Sequence, residues 1–295
     1  MKVIGILIAC IAITLASFQT IPVARDVIKK EYKVTPGGTL SLDLDRGNIE
    51  IESNDENYVK IEMERRARAE SSQEAERLLE TLHQYEFDKD NDEVSIRSRI
   101  EDERGHRRWR KGSAVKIRLS VRVPSKYDVS FKTGGGNVTI MDVSGEISGR
   151  TGAGNVLLEN IVGELDIKTG AGNIEVSGSL DDAEVATGAG NLSIFAQVGD
   201  LYAVAGTGNV TVEIEGQPKG ESKLRTGAGN VSLSLHEDVQ AEIRGTASIG
   251  TITCEFPIDI SKKFLSHSFE GDINGGGSAS IVMNSGVGNL SLLRR

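Results

Sequence analysis

The chain has 295 residues, of which 34 are glycine and 5 are proline, 4% are aromatic, and its formal net charge is −9. Glycine without a Gly-X-Y period and with so little proline excludes a collagen-like chain, and 38% hydrophobic residues exclude a wholly disordered one. Only six of the glycines lie in residues 1–128, whose charges cancel, so residues 129–295 carry the remaining glycines and the whole net charge.

The first residues have the pattern of a secretory signal peptide. Lys2 precedes about 13 apolar residues, a run too short for a comfortable membrane span. We assign residues 1–20 to the signal, expect cleavage after Ala16, and expect no transmembrane span afterwards. Residues 7–10, Leu-Ile-Ala-Cys, also resemble a lipoprotein box that would place a lipid anchor on Cys10. The apolar run continues past Cys10, which favours the simple signal.

Removal of the signal would leave Cys254 as the only cysteine. An exported chain with one thiol has no internal disulfide, so its stability must come from burial and backbone hydrogen bonds. Cys254 alternates with polar residues, which favours a buried strand position over a reactive thiol.

Residues 21–128 predict a β-rich cap with one inserted helix. Alternation of apolar and polar residues indicates strands near 38–44, 48–52, 59–63, 94–97 and 115–121. The spacing predicts a helix near 72–86, with Ser71 or Ser72 as N-cap and an apolar face of Ala75, Leu78, Leu79 and Leu82. Such a cap would cover the strand edges at the end of a solenoid.

Between two of these strands lies a basic segment that carries the only tryptophan. Arginine forks suit phosphate, and an indole ring can stack on a sugar, so a phosphate, lipopolysaccharide or acidic partner could bind here. The alternative is a solvated hairpin tip balanced by Glu101, Asp102 and Glu103. Nucleic acid is not expected for an exported, net acidic chain. The candidate binding residues are Arg104, Arg107, Arg108, Trp109, Arg110 and Lys111.

The dominant signal is an internal repeat of the motif Thr-Gly-x-Gly-Asn. Apolar residues stand one and three positions after each asparagine, with mostly polar residues between them, so each asparagine opens a β-strand. A second strand begins nine residues after the asparagine. The asparagines recur at steps of 18 and then 21 residues, and we assign them to structural turns: Asn137, Asn155, Asn173, Asn191, Asn209 and Asn230.

Two architectures fit this period: a parallel β-solenoid, with one coil per repeat, and an antiparallel meander, with one hairpin per repeat. Constant spacing keeps coils in register, which favours the solenoid. Glycine supplies the positive φ of tight corners, and stacked asparagines can bond one another. We therefore predict an all-β fold: a parallel β-solenoid of 18–21-residue coils in residues 129–295, behind the β-rich cap of residues 21–128.

An acidic column accompanies the repeat, since Glu146, Glu164, Asp182 and Asp200 each lie nine residues past an asparagine. Glu221 and Glu242, at twelve residues, align with it if the three extra residues precede them. Stacked carboxylates repel, and a divalent cation could bridge them. The pattern differs from the calcium-binding nonapeptide, which favours solvated turn residues; we predict neither a metal site nor a cofactor.

No catalytic constellation stands out, and the four histidines lack ligand spacing. We expect a protein that is not an enzyme. The alternative is a carbohydrate-active β-helix enzyme, a polysaccharide lyase or hydrolase, but tight loops argue against the cleft that such an enzyme needs.

The repeated Thr-Gly-Ala-Gly-Asn-Val motif resembles the bacterial putative-adhesin family of β-strand-repeat proteins, also called the toast-rack domain of unknown function. Residues 36–51 and 121–125 resemble it too, so the likeness covers about residues 30–295. It implies a β-solenoid that is exported to the periplasm, outer surface or medium of a bacterium, with a binding, structural or stress-sensing role. The implied partner is an envelope glycan or protein, and the family supplies no catalytic residues.

Overall fold

The computed structural model describes residues 23–100, 115–263 and 266–295. The N-terminal elements are β1 (Val23–Lys33), β2 (Thr39–Leu44), β3 (Asn48–Asn54), β4 (Tyr58–Arg68), α1 (Ser72–Leu82), β5 (His83–Asp90), β6 (Glu93–Ile100) and β7 (Val115–Pro124). The following elements are β8 (Asp128–Thr133), β9 (Val138–Met141), β10 (Ile147–Ala153), β11 (Val156–Ala171), β12 (Ile174–Ala189), β13 (Leu192–Thr207), β14 (Val210–Ile214), β15 (Glu221–Ala228), β16 (Val231–Leu235), β17 (Ala241–Ile249), β18 (Ile252–Cys254), β19 (Ile260–Lys262), β20 (His267–Ile273), β21 (Ala279–Val287) and β22 (Leu290–Arg294).

The repeats are coils of a parallel β-solenoid, as the sequence predicts, and not hairpins of a meander. Face 1 contains the strands that follow the asparagines, in the spatial order β3, β9, the first halves of β11, β12 and β13, then β14, β16, β22 and β18. Face 2 contains the strands that lead into the next glycine corner, in the order β2, β8, β10, the second halves of β11, β12 and β13, then β15, β21 and β17.

A thin apolar core lies between the two faces. Along the strands of the stacked coils, every second side chain points inward, as in Leu192–Thr207, so equivalent positions of successive coils stack into buried rows. Ile174 pairs with Leu192 on face 1, and Val185 pairs with Ala203 on face 2, and all four are buried. Small and branched side chains fill this narrow space, which explains the low aromatic content.

The coils are held in register at the corner by a ladder of asparagine side chains. The backbone N–H of Asn155 donates to Oδ1 of Asn137 at 3.0 Å, and the same bond joins Asn173 to Asn155 and Asn191 to Asn173. The ladder runs on through Asn209, Asn230 and Asn289. The predicted turn role of the asparagines thus has a defined hydrogen bond.

The glycine before each asparagine permits the coils to approach. Gly172 has φ +149°, a conformation that side chains with a Cβ rarely adopt. A Cβ built there would lie 2.0 Å from the carbonyl oxygen of Gly154 in the coil below. Beneath the corner, the buried Thr187 hydroxyl donates to the carbonyl of Gly172 at 2.9 Å. Glycine is therefore required by the stacking distance as well as by the backbone angle.

The last repeat is out of sequence order in space. Strands β21 and β22 lie between the coil of β15 and β16 and the coil of β17 and β18. The chain leaves the stack after β18, covers β17 with the antiparallel β20, and returns to fill the intervening position. Glu242 consequently does not stack on Glu221, because Ser280 lies between them; the extension of the acidic column to Glu242 is wrong.

At the other end, parallel pairing continues past residue 128 into the predicted cap. Strand β2 pairs with β8, β3 pairs with β9, and Oδ1 of Asn48 accepts the N–H of Asn137 at 3.2 Å. Beyond this coil, β7 pairs in parallel with β3, and the antiparallel β4 and β1 continue face 1. On face 2, β6 pairs in parallel with β2, and the antiparallel β5 ends the sheet. The division at residue 128 stays a sequence-based prediction, since the sheets cross it without a break.

Helix α1 covers the apolar interior at this end. Ser71 caps it by accepting the N–H of Glu74 at 3.2 Å, and the four predicted apolar residues are buried. The helix ends at Leu82, and the expected extension to residue 86 is wrong. Residues from His83 onward pair with β6 as strand β5, because ladder hydrogen bonds to a sheet edge replace the helical ones.

A buried polar cluster lies where α1 meets the sheets. The Arg65 guanidinium forms an ion pair with Asp26 and donates to the carbonyl of Leu79 at 3.2 Å. Nε2 of His83 lies 2.7 Å from Oγ of Ser98, and both residues are buried. Burial, assisted by the positive charge of Arg65, lowers the pKa of His83 to about 4. His83 is therefore neutral in the folded protein at pH 7.

This pKa makes stability depend on pH. The unfolded chain binds a proton on His83 near pH 6.5 and the folded chain only near pH 4, so the contribution is complete above pH 6.5 and is lost as the pH falls towards 4. We expect a loss of about 3 kcal/mol from this group. Urea unfolding at pH 7, 5.5 and 4 should show that the free energy of unfolding falls less with decreasing pH in His83→Gln than in the wild type. Equal losses in the two proteins would contradict this assignment.

Candidate binding surface on face 2

The four predicted carboxylates form one stack at the start of the face 2 strands. Asp182 pairs directly with Asp200, and Glu146 and Glu164 immediately precede the paired residues Ile147 and Leu165. Like charges therefore recur from coil to coil on neighbouring strands about 4.8 Å apart, with a register irregularity between Glu164 and Asp182. This is the column that the repeat predicts, now placed on adjacent strands.

The column extends by one carboxylate at each end, to Asp128 before Glu146 and to Glu221 after Asp200. Oδ1 of Asp128 accepts the backbone N–H of Glu146 at 2.9 Å, and Oδ1 of Asp200 accepts that of Glu221 at 2.6 Å. Glu221 thus aligns with the column as expected, because the extra residues of its coil lie in the loop before β15. These bonds give two of the carboxylates a structural role between coils.

A second row of polar side chains runs beside the column. Asp166, Glu184, Tyr202 and Lys223 are successive register partners, each two residues after a column member. The sequence interpretation missed them, although strand alternation places residues two apart on the same side of a sheet. That alternation was the signal that could have identified them.

Basic residues neutralise the second row and Glu221, whose carboxylate lies 2.7 Å from Nζ of Lys223, but not the four predicted column residues. Nζ of Lys168 lies 2.8 Å from Glu184 and 3.1 Å from Asp166, and hydrogen bonds to these two carboxylates raise the pKa of Lys168. Arg150 lies 3.9 Å from Asp166. In the parts of the chain that the structure describes, no lysine or arginine forms an ion pair with the four predicted column residues. The column therefore keeps an uncompensated negative potential.

The two rows line a shallow groove of about 360 Å³, which we call the acidic groove. The aromatic residue that lines this groove is Tyr202, and its side chain is exposed. Such a surface can attract cationic groups and offer the tyrosine ring for stacking. The acidic groove is lined by Glu146, Glu164, Leu165, Asp166, Asp182, Ala183, Glu184, Asp200, Leu201, Tyr202, Glu221 and Lys223.

The described residues offer no ready metal centre. Across residues 23–100, 115–263 and 266–295, no three His, Cys, Asp or Glu side chains come together in a way that could hold a metal ion. Cys254, the one cysteine in these ranges, is half-buried in β18, where its thiol donates to the carbonyl of Phe256 at 3.4 Å. Burial raises the pKa of this thiol, which disfavours the reactive thiolate.

Two predicted features lie outside the described residues. They are the signal segment with Cys10, and the basic segment with Arg104, Arg107, Arg108, Trp109, Arg110 and Lys111. Both stay sequence-based predictions. Within the described part of the chain, no helix combines the length and hydrophobicity needed to cross a membrane.

The fold and repeat agree with a known family. The family model described as Toastrack DUF4097 matches residues 39–290, and the chain belongs to this family. No match is found among curated proteins.

Two solved structures match this chain at low sequence identity. A putative adhesin from Bacteroides fragilis NCTC 9343 is 13% identical with a TM-score of 0.50, covering 91% of this chain and 97% of that one. A putative cell adhesion protein from Clostridium sporogenes ATCC 15579 is 11% identical with a TM-score of 0.32, covering 92% of this chain and 100% of that one. The likeness to the Bacteroides fragilis structure shows a shared fold.

Neutralising part of the column should stabilise the protein. In the double variant Glu164→Gln and Asp182→Asn, removal of like-charge repulsion should raise the free energy of unfolding by about 0.5 kcal/mol. Thermal unfolding at low and high salt measures this, and the gain should shrink as salt screens the charges.

The control is Glu175→Gln, an exposed carboxylate on face 1 that lies outside the column. A lower melting temperature in the double variant would contradict the interpretation. So would a rise in the wild-type melting temperature on addition of Ca²⁺, since that would show a cation bridging the column.

Proposed function

We propose that this chain is an exported, non-enzymatic protein of the bacterial envelope whose solenoid acts as an adhesin-like binding scaffold. The observation that carries the proposal is the in-register stacking of outward side chains along face 2, of which the acidic groove is the clearest case. A stack of this kind presents one chemical group repeatedly at fixed spacing. It suits an extended partner, such as a glycan strand or protein surface, that is bound at several weak points.

Family membership and the fold shared with a structure named as a putative adhesin support this direction. The signal-like N-terminus supports export. The flat, shallow form of the acidic groove suits binding of a surface better than enclosure of a reacting bond.

The acidic column and the sequence-predicted basic segment are both candidates for the contact, and matched variants distinguish them. One variant removes the charge of the column, with Glu146→Gln, Glu164→Gln, Asp182→Asn and Asp200→Asn. The other removes two positive charges and the indole ring of the basic segment, with Arg107→Ala, Arg108→Ala and Trp109→Ala. Co-sedimentation with purified peptidoglycan, whose peptides carry cationic amines, tests the acidic groove, and co-sedimentation with lipopolysaccharide vesicles, whose phosphates are anionic, tests the basic segment, both at physiological salt.

We expect the wild type to bind at least one of these probes, and one variant to bind it roughly tenfold more weakly, a loss of about 1.4 kcal/mol. Equal binding by all three proteins, or binding to neither probe, would overturn the proposal. Clear turnover in a polysaccharide screen would replace it with the carbohydrate-active enzyme.

A further inference from the structure

Strand β1 forms one edge of face 1. In the described part of the chain it pairs only with β4, over its full length from Val23 opposite Arg68 to Lys33 opposite Tyr58. Its other side therefore presents a regular row of backbone donors and acceptors over 11 residues. Such a long regular edge can template pairing with another strand.

The two sides of β1 differ in character. Ala24, Ile28 and Tyr32 face the core and are only partly buried, since no strand covers them on the outer side of the edge. Arg25 and Glu31 are exposed and lie on the opposite side of the strand. A strand added at this edge would cover more of the apolar side chains and meet charges on both sides, since Asp26 and Lys30 lie on the same side of the strand as Ala24 and Ile28.

The sequence of β1 is complementary to itself in the antiparallel direction. When two copies are paired about Ile28, Arg25 lies opposite Glu31 of the second copy, and Asp26 lies opposite its Lys30. The same register sets Ala24 opposite Tyr32 and Ile28 opposite its own equivalent. Each charge pair occurs twice, because a twofold axis repeats every contact. Opposite charges and apolar pairs directly across two strands stabilise a sheet.

Neighbouring registers lack this match. A twofold axis perpendicular to the sheet pairs side chains of the same face, so it must be centred on a residue. Centring on Val27 sets Arg25 opposite Lys29, and centring on Lys29 sets Arg25 opposite Lys33. When the axis is centred on Asp26 or on Lys30, that residue lies opposite the same residue of the second copy, so two like charges face each other. Of the five central registers, only the one about Ile28 has no like charges opposite.

We propose that two copies of this chain form a twofold dimer through antiparallel pairing of β1 with β1, centred on Ile28. Face 1 of one solenoid then continues into face 1 of its partner, and the distal ends with β17 and β18 point away from each other. The pairing adds to internal ion pairs, because Arg25 lies 2.5 Å from Glu64 and Asp26 forms an ion pair with Arg65, so each of them would gain a second opposite charge from the other copy.

Charge reversal tests the pairing. Multi-angle light scattering of the wild-type protein should give twice the mass of one chain. Arg25→Glu and Glu31→Arg each place like charges opposite one another twice, so each variant alone should dimerise roughly tenfold more weakly. The two variants mixed together restore opposite charges at both contacts and should form a heterodimer. Glu175→Arg, an equal charge reversal elsewhere on face 1, should leave the dimer intact.

Cysteine cross-linking tests the register. Ile28→Cys should form an inter-copy disulfide under mild oxidation, because residues opposite their own equivalents approach within disulfide range. Lys29→Cys should not link to itself but should link to Val27→Cys when the two are mixed. Oxidation of the wild type, which carries only its native cysteines, measures the background level of cross-linking.

Three results would overturn the proposal. They are a wild-type monomer at tens of micromolar, a dimer unaffected by either single charge reversal, and a mixture of the two reversed variants that stays monomeric while each is folded by circular dichroism. Efficient self-linking of Lys29→Cys would also overturn the register.

Discussion

The structure depends on the corner where one coil sits on the previous one. A coil must turn within a few residues, and its turn must approach the turn below closely enough for backbone hydrogen bonds. Glycine at positions such as Gly172 permits both the backbone angle and the approach. The neighbouring asparagine then supplies an oxygen to the N–H of the next coil, so that each turn fixes the height and register of its successor.

Once the corner fixes the register, the remaining features follow as rows of like residues. Apolar positions stack into a narrow core that needs no disulfide among the described residues. Outward positions stack as well, which brings the carboxylates of the acidic groove together at a cost in repulsion. In the second row, Lys168 reduces the repulsion between Asp166 and Glu184, and Arg150 contributes at Asp166. The proposed binding surface is thus a consequence of the same periodicity that forms the fold.

The repeat carries enough local information to predict its own structure. The spacing of the asparagines and the alternation after them predict the strands, the corner and the acidic column, because each coil repeats the same local interactions. Ser71 and the leucines of α1 similarly predict a capped helix and its buried face. The position of the last coil was not predictable, since insertion of β21 beside β15 is decided by long-range pairing. The helix end at Leu82 was missed for a related reason: strand β5 competes for the following residues.

The most direct test of the corner is amide hydrogen exchange in the variant Asn173→Ala. The N–H of Asn191 bonds only to the side chain of Asn173, at 2.8 Å, whereas the N–H of Leu192 bonds to the backbone carbonyl of Asn209, at 2.9 Å. In the wild type, the amide of the exposed Asn191 should be protected; in the variant it should exchange at least roughly tenfold faster while Leu192 stays protected. Fast exchange at Asn191 in the wild type, or an unchanged rate in the variant, would contradict the ladder as the interaction that sets the register.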